Sequence, residues 1–177
     1  MYIWIGIDVQ EQLGEIRQKA MKIDRELEFE NSCFTLPLHI SLKMSFERGN
    51  DSYQAVIDDI TDYLSALTPF EISVKGSEAY ENIVWIRMVN NNEIDSIHDR
   101  LNEMLLKKHG VVLHEYDLDY KFHTTLFMSD NEDKIRTAYE RVKDTSLPDV
   151  LKINRFLIGT SKSGKLGTYS VFKEINV

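Results

Sequence analysis

Two short runs of this sequence place a histidine two residues before a hydroxyl side chain. LPLHISLKMS contains His39 and Ser41, and DYKFHTTLFMS contains His123 and Thr125. Imidazole has an ordinary pKa near 6.5, so it accepts or donates a proton close to neutral pH. A neutral and a protonated histidine across a phosphodiester would form a general base and a general acid. The two hydroxyls could hydrogen-bond the nonbridging phosphate oxygens, where charge develops.

Both runs are rich in apolar residues and predict β-strands. Residues two apart in a strand point to the same face, so His39, Ser41 and Lys43 would share one face of the first strand. His123 and Thr125 would share a face of the second. An unsatisfied buried polar group costs about 1–3 kcal/mol, so a water-filled cleft between the strands explains these polar faces better than burial does. Lys43 is then a candidate contact for a substrate phosphate, with a solvated edge lysine as the alternative.

The other segments alternate between helix and strand patterns. Predicted helices run from Gln10 to about Phe29, from a cap at Asp51 or Ser52 (after a turn at Gly49 and Asn50) to before Pro69, from Glu93 to Lys108, and from Glu132, capped by Asp130 or Asn131, to about Val142. Predicted strands are YIWIGIDV, the two histidine runs, FEISVKGSEAY with NIVWIRMV as a hairpin, and VLKINRFLIG with TYSVFKEINV as a second hairpin.

This order of elements is an internal repeat, because helix, histidine strand, helix, strand and strand occur twice. The sequence therefore predicts one two-lobed domain over residues 1–177, with pseudo-repeat halves carrying His39 and His123 respectively. The expected fold class is α/β (α+β), a duplicated fold in which each lobe is an antiparallel-rich sheet with helices packed outside. The active-site cleft would lie between the lobes.

The composition is that of a small globular protein. The chain has 177 residues, 42% of them hydrophobic and 10% aromatic, which is enough for one compact core. No apolar run approaches the ~20 residues of a membrane span, so no membrane association is expected. The first run, MYIWIGIDVQ, lacks a basic region and contains Asp8, which favours a strand over a signal peptide. Cys33 is the single cysteine, which excludes an intramolecular disulfide and fits a reducing cytoplasm.

The net charge of the chain indicates which kinds of binding partner to expect. A formal net charge of −8 argues against tight binding of long nucleic acid, which needs many Lys and Arg contacts to phosphates. It leaves room for a short ligand with one phosphate, since a site needs only a few local cations. An acidic balance is also ordinary for a soluble protein. Monomer is the default expectation for the oligomeric state.

The two motifs and the element order together resemble the two-histidine phosphoesterase superfamily. That superfamily includes the RNA 2',3'-cyclic phosphodiesterases, also called 2'-5' RNA ligases, and carries one H-x-T/S motif in each lobe of a duplicated fold. The resemblance implies that His39 and His123 are the acid/base pair and that Ser41 and Thr125 bind phosphate. It implies a nucleotide or short RNA end with a cyclic phosphate as the ligand.

The chain departs from the family pattern at one point. The family often has proline directly before the histidine, whereas Pro37 stands one residue further away and Phe122 precedes His123. This departure concerns the subfamily more than the superfamily.

Several other residues have both a functional and a structural interpretation. Tyr169, Trp85 and Tyr116 could stack on a base, with core packing as the alternative for each. Lys162 and Lys165 lie in a predicted hairpin that could cover a nucleotide or simply be solvated. His98 and His109 fall in the third predicted helix and are interpreted as surface groups.

No metal or cofactor is expected. His114 with Glu115 lacks the further His or Cys ligands of a metal site. The sequence also contains no phosphate-binding glycine loop and no hydrolase elbow around Ser41.

Three hypotheses follow. The first is a metal-independent phosphodiesterase that opens a 2',3'-cyclic phosphate or cleaves a 2'-5' linkage, with ligation as the reverse direction. The second is a noncatalytic protein that binds a nucleotide or RNA end on the same fold. The third is a structural protein whose histidines are incidental.

Overall fold

The computed structural model describes residues 1–29, 33–49, 51–118 and 120–177, and the predicted turn residue Asn50 lies outside these. The α-helices of the described residues are α1 (Gly14–Leu27), α2 (Tyr53–Ser65), α3 (Asn92–His109) and α4 (Glu132–Val142). The strands are β1 (Tyr2–Asp8), β2 (His39–Glu47), β3 (Phe70–Tyr80), β4 (Ile83–Met88), β5 (His123–Met128), β6 (Val150–Ile153), β7 (Arg155–Ser161) and β8 (Ser170–Asn176). Two 3-10 turns occupy Cys33–Thr35 and Glu115–Asp117.

The strands form two four-stranded sheets. Sheet I has the order β2-β1-β7-β8, and sheet II has the order β5-β4-β3-β6. Every pairing of neighbouring strands is antiparallel. The predicted two-lobed α+β class with antiparallel sheets is therefore confirmed, and each histidine strand lies at the edge of its own sheet.

The lobes are not successive halves of the chain, in contrast to the arrangement that the repeat suggests. β3 and β4 precede the middle of the chain but belong to sheet II with the strand of His123, while β7 and β8 return to sheet I. The prediction of one strand over VLKINRFLIG is also wrong, because the chain passes from sheet II to sheet I within this run. Leu151 and Ile153 are buried, and then Phe156 and Ile158, so the alternation shifts by one residue where the chain leaves sheet II for sheet I.

One face of each sheet forms the core. Ile3, Ile5 and Ile7 alternate along β1 and are fully buried, and each such side chain contributes about 1.5–3 kcal/mol. Helices α1 and α4 pack against each other and against sheet II, α1 on β5 and α4 on β3, β4 and β5. Their apolar stripes consist of Ile16, Ala20 and Ile23 on α1, and Ile135, Ala138 and Val142 on α4.

Asparagine side chains cap the N-terminal ends of α3 and α4, and Asn131 is one of the two caps predicted for the latter. The Asn91 side chain accepts hydrogen bonds from two backbone N–H groups of α3, and Asn131 accepts one from Lys134. Gly110 ends α3 with φ 63°, in the left-handed region that glycine adopts without strain. No helix in the described part of the chain has both the length and the apolar character needed to cross a membrane.

Candidate functional site

The two histidine strands meet where the lobes join. β2 and β5 are edge strands of different sheets, and they contact each other. His39 and His123 begin these strands, and both remain partly exposed, as do Ser41 and Thr125. The structure thus brings the two motifs to one boundary, although they are far apart in the sequence.

Each imidazole is held by its own main chain in the same way. Nδ1 of His39 lies 2.7 Å from the Pro37 carbonyl oxygen, and Nδ1 of His123 lies 2.6 Å from the Lys121 carbonyl oxygen. A carbonyl only accepts, so each Nδ1 must carry the proton. In the neutral ring Nε2 is then the unprotonated nitrogen, which is the form that accepts a proton from water.

Burial lowers the pKa of both histidines. The pKa of His39 falls to about 4, because burial and the charge of His123 outweigh the Pro37 carbonyl and Asp8. The pKa of His123 is also lowered by burial and by Arg87, against the Lys121 carbonyl. Both rings are therefore neutral at neutral pH in the ligand-free protein. The effect of His123 on His39 shows that the two rings interact electrostatically.

Ser41 is held by an indole that sequence reasoning did not assign to the site. Nε1 of Trp4 donates to the Ser41 hydroxyl oxygen over 3.0 Å, and the Trp4 ring lies 4.2 Å from the His39 ring. Tyr120 is also hydrogen-bonded to Ser41, and burial raises the pKa of its phenol beyond the usual range. The hydroxyl of the first motif is thus held by two aromatic side chains.

Two glycines make room for Trp4. A Cβ on Gly6 would lie 2.4 Å from the Trp4 ring, and a Cβ on Gly159 would lie 2.6 Å from it. Both glycines are on strands of sheet I, on the face opposite the Ile side chains. The indole therefore lies against the backbone at these two glycines. The glycines are a sequence signal that could have located it.

The second motif has a similar aromatic neighbour. The Trp85 ring lies 4.4 Å from the His123 ring, and Trp85 pairs with Thr125 across β4 and β5. Tyr80 stacks on the same indole with ring centroids 5.0 Å apart and planes 9° apart. Because Tyr80 and His123 pack on it and it is only 4% exposed, Trp85 has no free face for a base.

Lys43 differs from the expectation. It is 1% exposed, and its ammonium group pairs with Asp117, which also accepts backbone N–H bonds from Met44 and His114. The strand carries a register shift beside Lys43, which places it opposite Ile5. The Lys43 ammonium group is therefore paired with Asp117 inside the protein, and it presents no exposed group to a phosphate.

Tyr169 lies on the sheet I side of the molecule. It is partly buried, with its hydroxyl 3.5 Å from the Gly164 carbonyl in the β7–β8 hairpin, where Lys162 and Lys165 are exposed. Tyr116 is 62% exposed on the segment before β5. For these residues a role in binding stays a prediction.

His98 corrects the surface interpretation. It is 5% exposed, because its ring stacks on Tyr120 at 5.2 Å and bonds to Asn102. His109 is partly buried and pairs with Asp59. Neither ring belongs to the paired motifs.

The described residues hold no cluster of three or more His, Cys, Asp or Glu side chains that could bind a metal ion. Two open surface depressions lie elsewhere, one between the start of α1 and residues 146–148 and one between residues 67–68 and α3.

Two lobes with one H-x-T/S motif each define a two-histidine phosphoesterase. The profile of the 2'-5' RNA ligase superfamily matches residues 3–163, and the chain belongs to this superfamily.

Solved structures share the fold at low sequence identity. TT0787 of Thermus thermophilus is 16% identical with a TM-score of 0.64, over 99% of this chain and 97% of that one. E. coli LigT complexed with NADP+ is 13% identical with a TM-score of 0.61, over 99% and 96%. LigT complexed with 3'-AMP is 13% identical with a TM-score of 0.57, over the same shares. No curated protein matches the sequence.

Proposed function

We propose that this protein is a metal-independent phosphodiesterase that hydrolyses a 2',3'-cyclic phosphate or a 2'-5' linkage of RNA or a nucleotide. The observation that carries the proposal is the matched pair of histidines, each with Nδ1 on the carbonyl oxygen two residues earlier. This arrangement leaves Nε2 of each ring for proton transfer. Two neutral rings at one lobe boundary suit a reaction that needs a base and, once a proton arrives, an acid.

The proposed reaction opens the cyclic ester in one displacement. One histidine removes a proton from water as the new O–P bond forms. The other histidine gives a proton to O3' as the P–O3' bond breaks, which leaves a 2'-phosphate and a free 3'-hydroxyl. Ser41 and Thr125 donate hydrogen bonds to the nonbridging oxygens, which carry more charge in the transition state.

The acid takes up its proton from solvent when the substrate binds. An anion beside an imidazole raises its pKa, so a bound phosphate favours protonation of one of the two rings. Their coupling then disfavours protonation of both together. One neutral and one charged histidine is the state that results.

The aromatic rings of Tyr80 and Trp85 beside His123 support the proposal of a nucleotide ligand. Tyr80 is 43% exposed and stacked on Trp85, and the Lys121 ammonium lies 5.4 Å from the Tyr80 ring centroid. Such a ring and a nearby cation suit a base and its phosphate. LigT structures with 3'-AMP and NADP+ show that a protein of this fold accepts nucleotides.

The test is turnover of 2',3'-cyclic nucleotides and 2'-5'-linked dinucleotides with a chelator present. We expect wild-type protein to release 2'-phosphates, and His39→Ala or His123→Ala to lower kcat by about 100-fold or more, because each removes a general catalyst. His109→Ala is the matched control, since this histidine lies outside the site. Undiminished turnover in either site variant would contradict the acid/base assignment.

The second candidate is a noncatalytic nucleotide- or RNA-end-binding protein on the same fold. Calorimetry with a 2',3'-cyclic nucleotide separates the two. Binding of a cyclic nucleotide that is recovered unaltered would favour the binding protein, provided that no product forms from any of the 2',3'-cyclic nucleotides or 2'-5'-linked dinucleotides.

A further inference from the structure

The chain has two tryptophans, and each packs on a different histidine of the pair. Trp4 meets the His39 ring at 65° and Trp85 meets the His123 ring at 46°. They stand on β1 and β4, which are the strands that neighbour the histidine strands in the two sheets. The two lobes therefore repeat a histidine–indole pair as well as a histidine motif.

Packing in the core does not account for these indoles. Trp4 is 7% exposed and Trp85 is 4% exposed, yet neither is part of the main apolar core of the described residues. Trp4 lies on the strand face opposite Ile3 and Ile5, on the side where the motif residues are. Gly6 and Gly159 leave space for its ring, because neither has a Cβ.

We propose that Trp4 and Trp85 are positioning residues that hold His39 and His123 with Nδ1 on the main-chain carbonyl and Nε2 as the reacting nitrogen. The inference rests on the proposed acid/base function of the two histidines. Each indole covers its imidazole and blocks rotation of the ring away from its carbonyl. Trp4 also fixes the Ser41 hydroxyl through its own N–H, whereas Trp85 donates to Glu78 over 3.4 Å.

The indoles also determine what surrounds each imidazole. Besides Trp4, the groups that act on His39 are Asp8 of β1 and His123 of β5. Besides Trp85, the groups that act on His123 are Arg87 of β4 and Tyr120, whose ring lies 6.3 Å away. Apolar cover from the indoles adds to the burial that keeps both rings neutral until an anion arrives.

The test uses the two tryptophans as separate reporters. A protonated imidazole in contact with an indole quenches its fluorescence. In Trp85→Phe the remaining Trp4 emission should fall on acidification with a midpoint below pH 6.5, and the added change His39→Gln should remove that transition. In Trp4→Phe the Trp85 emission should report His123 in the same manner. These titrations need no substrate, so they stand even if the protein proves to be noncatalytic.

Kinetics supply the second readout. Trp4→Phe should lower kcat by about 10–100-fold with KM within about threefold, because small misplacement of a catalytic group has effects of this size. It should also move the acidic limb of the pH–rate profile toward 6.5. Tyr139→Phe on α4 is the control and should behave as wild type.

A measurement on the unaltered protein guards against a variant that fails to fold. Ring currents from the indoles should shift the carbon-bound ring protons of His39 and His123 upfield in proton NMR spectra. Ordinary shifts with titration near pH 6.5, indole emission insensitive to His39→Gln, or wild-type kcat and pH profile in Trp4→Phe would each overturn the proposal.

Discussion

At the scale of single residues, both histidines and Ser41 are fixed by neighbours that the sequence pattern does not reveal. The backbone carbonyls of Pro37 and Lys121 select the tautomers of the two histidines. The hydroxyl of Ser41 is fixed by Trp4. An H-x-S or H-x-T motif therefore specifies the reacting groups, and the adjacent strands and the preceding turns specify their orientation.

The buried state of His39 makes folding dependent on pH. Its pKa is about 4 in the folded protein and near 6.5 in the unfolded chain, so the unfolded state binds more protons between these values. Stability is complete above pH 6.5 and falls as the pH drops toward 4.

We expect wild-type protein to lose roughly 1–2 kcal/mol of unfolding free energy between pH 7 and pH 5 through this group, since one pKa unit corresponds to about 1.4 kcal/mol. His39→Gln should lose less over the same range. Urea denaturation at the two pH values measures this difference. Identical losses in both proteins would show that His39 titrates normally.

At the scale of elements, the Lys43–Asp117 ion pair joins β2 to the segment that leads into β5. Both side chains are almost fully buried, and Asp117 accepts hydrogen bonds from the backbone N–H groups of Met44 and His114. The pair thus connects the strand of His39 with the chain before His123. The position of the second motif relative to the first depends on it.

Lys43→Met should destabilise the fold by about 3–5 kcal/mol, because it leaves the Asp117 carboxylate buried without its partner. Lys107→Met is the matched control: Lys107 pairs with Glu103 on the exposed face of α3, and its loss should cost less than about 1 kcal/mol. Urea denaturation of both variants gives the comparison. Equal, small effects would mean that the buried pair adds little.

Gly159 of β7 leaves room for the Trp4 ring beside the site, because it has no side chain. In Gly159→Ala the new Cβ would meet the Trp4 ring at 2.6 Å, so the indole must move away from His39 and Ser41. We expect a loss of about 1–3 kcal/mol in stability, as for other overpacked sites, and a fall in turnover.

Gly14→Ala is the control for this change. Nothing lies within 4 Å of a Cβ at Gly14, which is the first residue of α1. Alanine there should be neutral or slightly stabilising. Thermal denaturation together with turnover checks both variants, and an active Gly159→Ala protein of normal stability would refute the packing argument.

At the scale of the whole molecule, the two lobes are interleaved along the chain. Sheet I needs β7 and β8 from the end of the sequence, and sheet II takes β3 and β4 from the first half. Helix α1, which follows β1 of sheet I in the chain, packs against β5 of sheet II and against α4, and Glu26 pairs with Arg141 at 2.5 Å. Sheet I joins strands from both ends of the chain, and sheet II, whose strands run from Phe70 to Ile153, is packed on by α1 from the N-terminal part, so the lobes are expected to fold together.

A fragment of residues 1–90 should therefore not fold. It would retain β1 with β2 and β3 with β4, and isolated two-stranded pairs are marginal in water. Circular dichroism of the fragment should show no cooperative thermal transition, whereas the full chain should melt in one step. A stable, cooperatively folded fragment would mean that the first half is an independent lobe.

Local pattern was sufficient to predict the elements. A β-branched and aromatic composition identified the strand of Ile3, Ile5 and Ile7, and helical spacing identified α3 and α4, because these signals depend on neighbours in sequence. The break between β6 and β7 escaped prediction, since a one-residue change of phase within an apolar run is a weak signal until the two sheets are known.

The sequence by itself determined the two motifs, their residue types and the strands that carry them. Only the tertiary structure decided that Trp4 and Trp85 face the histidines, that Lys43 is buried with Asp117, and that sheet I joins strands from both ends of the chain. The physical reason is that secondary structure follows from interactions a few residues apart. The contacts around the imidazoles join residues that are far apart along the chain, and they exist only when both sheets have assembled.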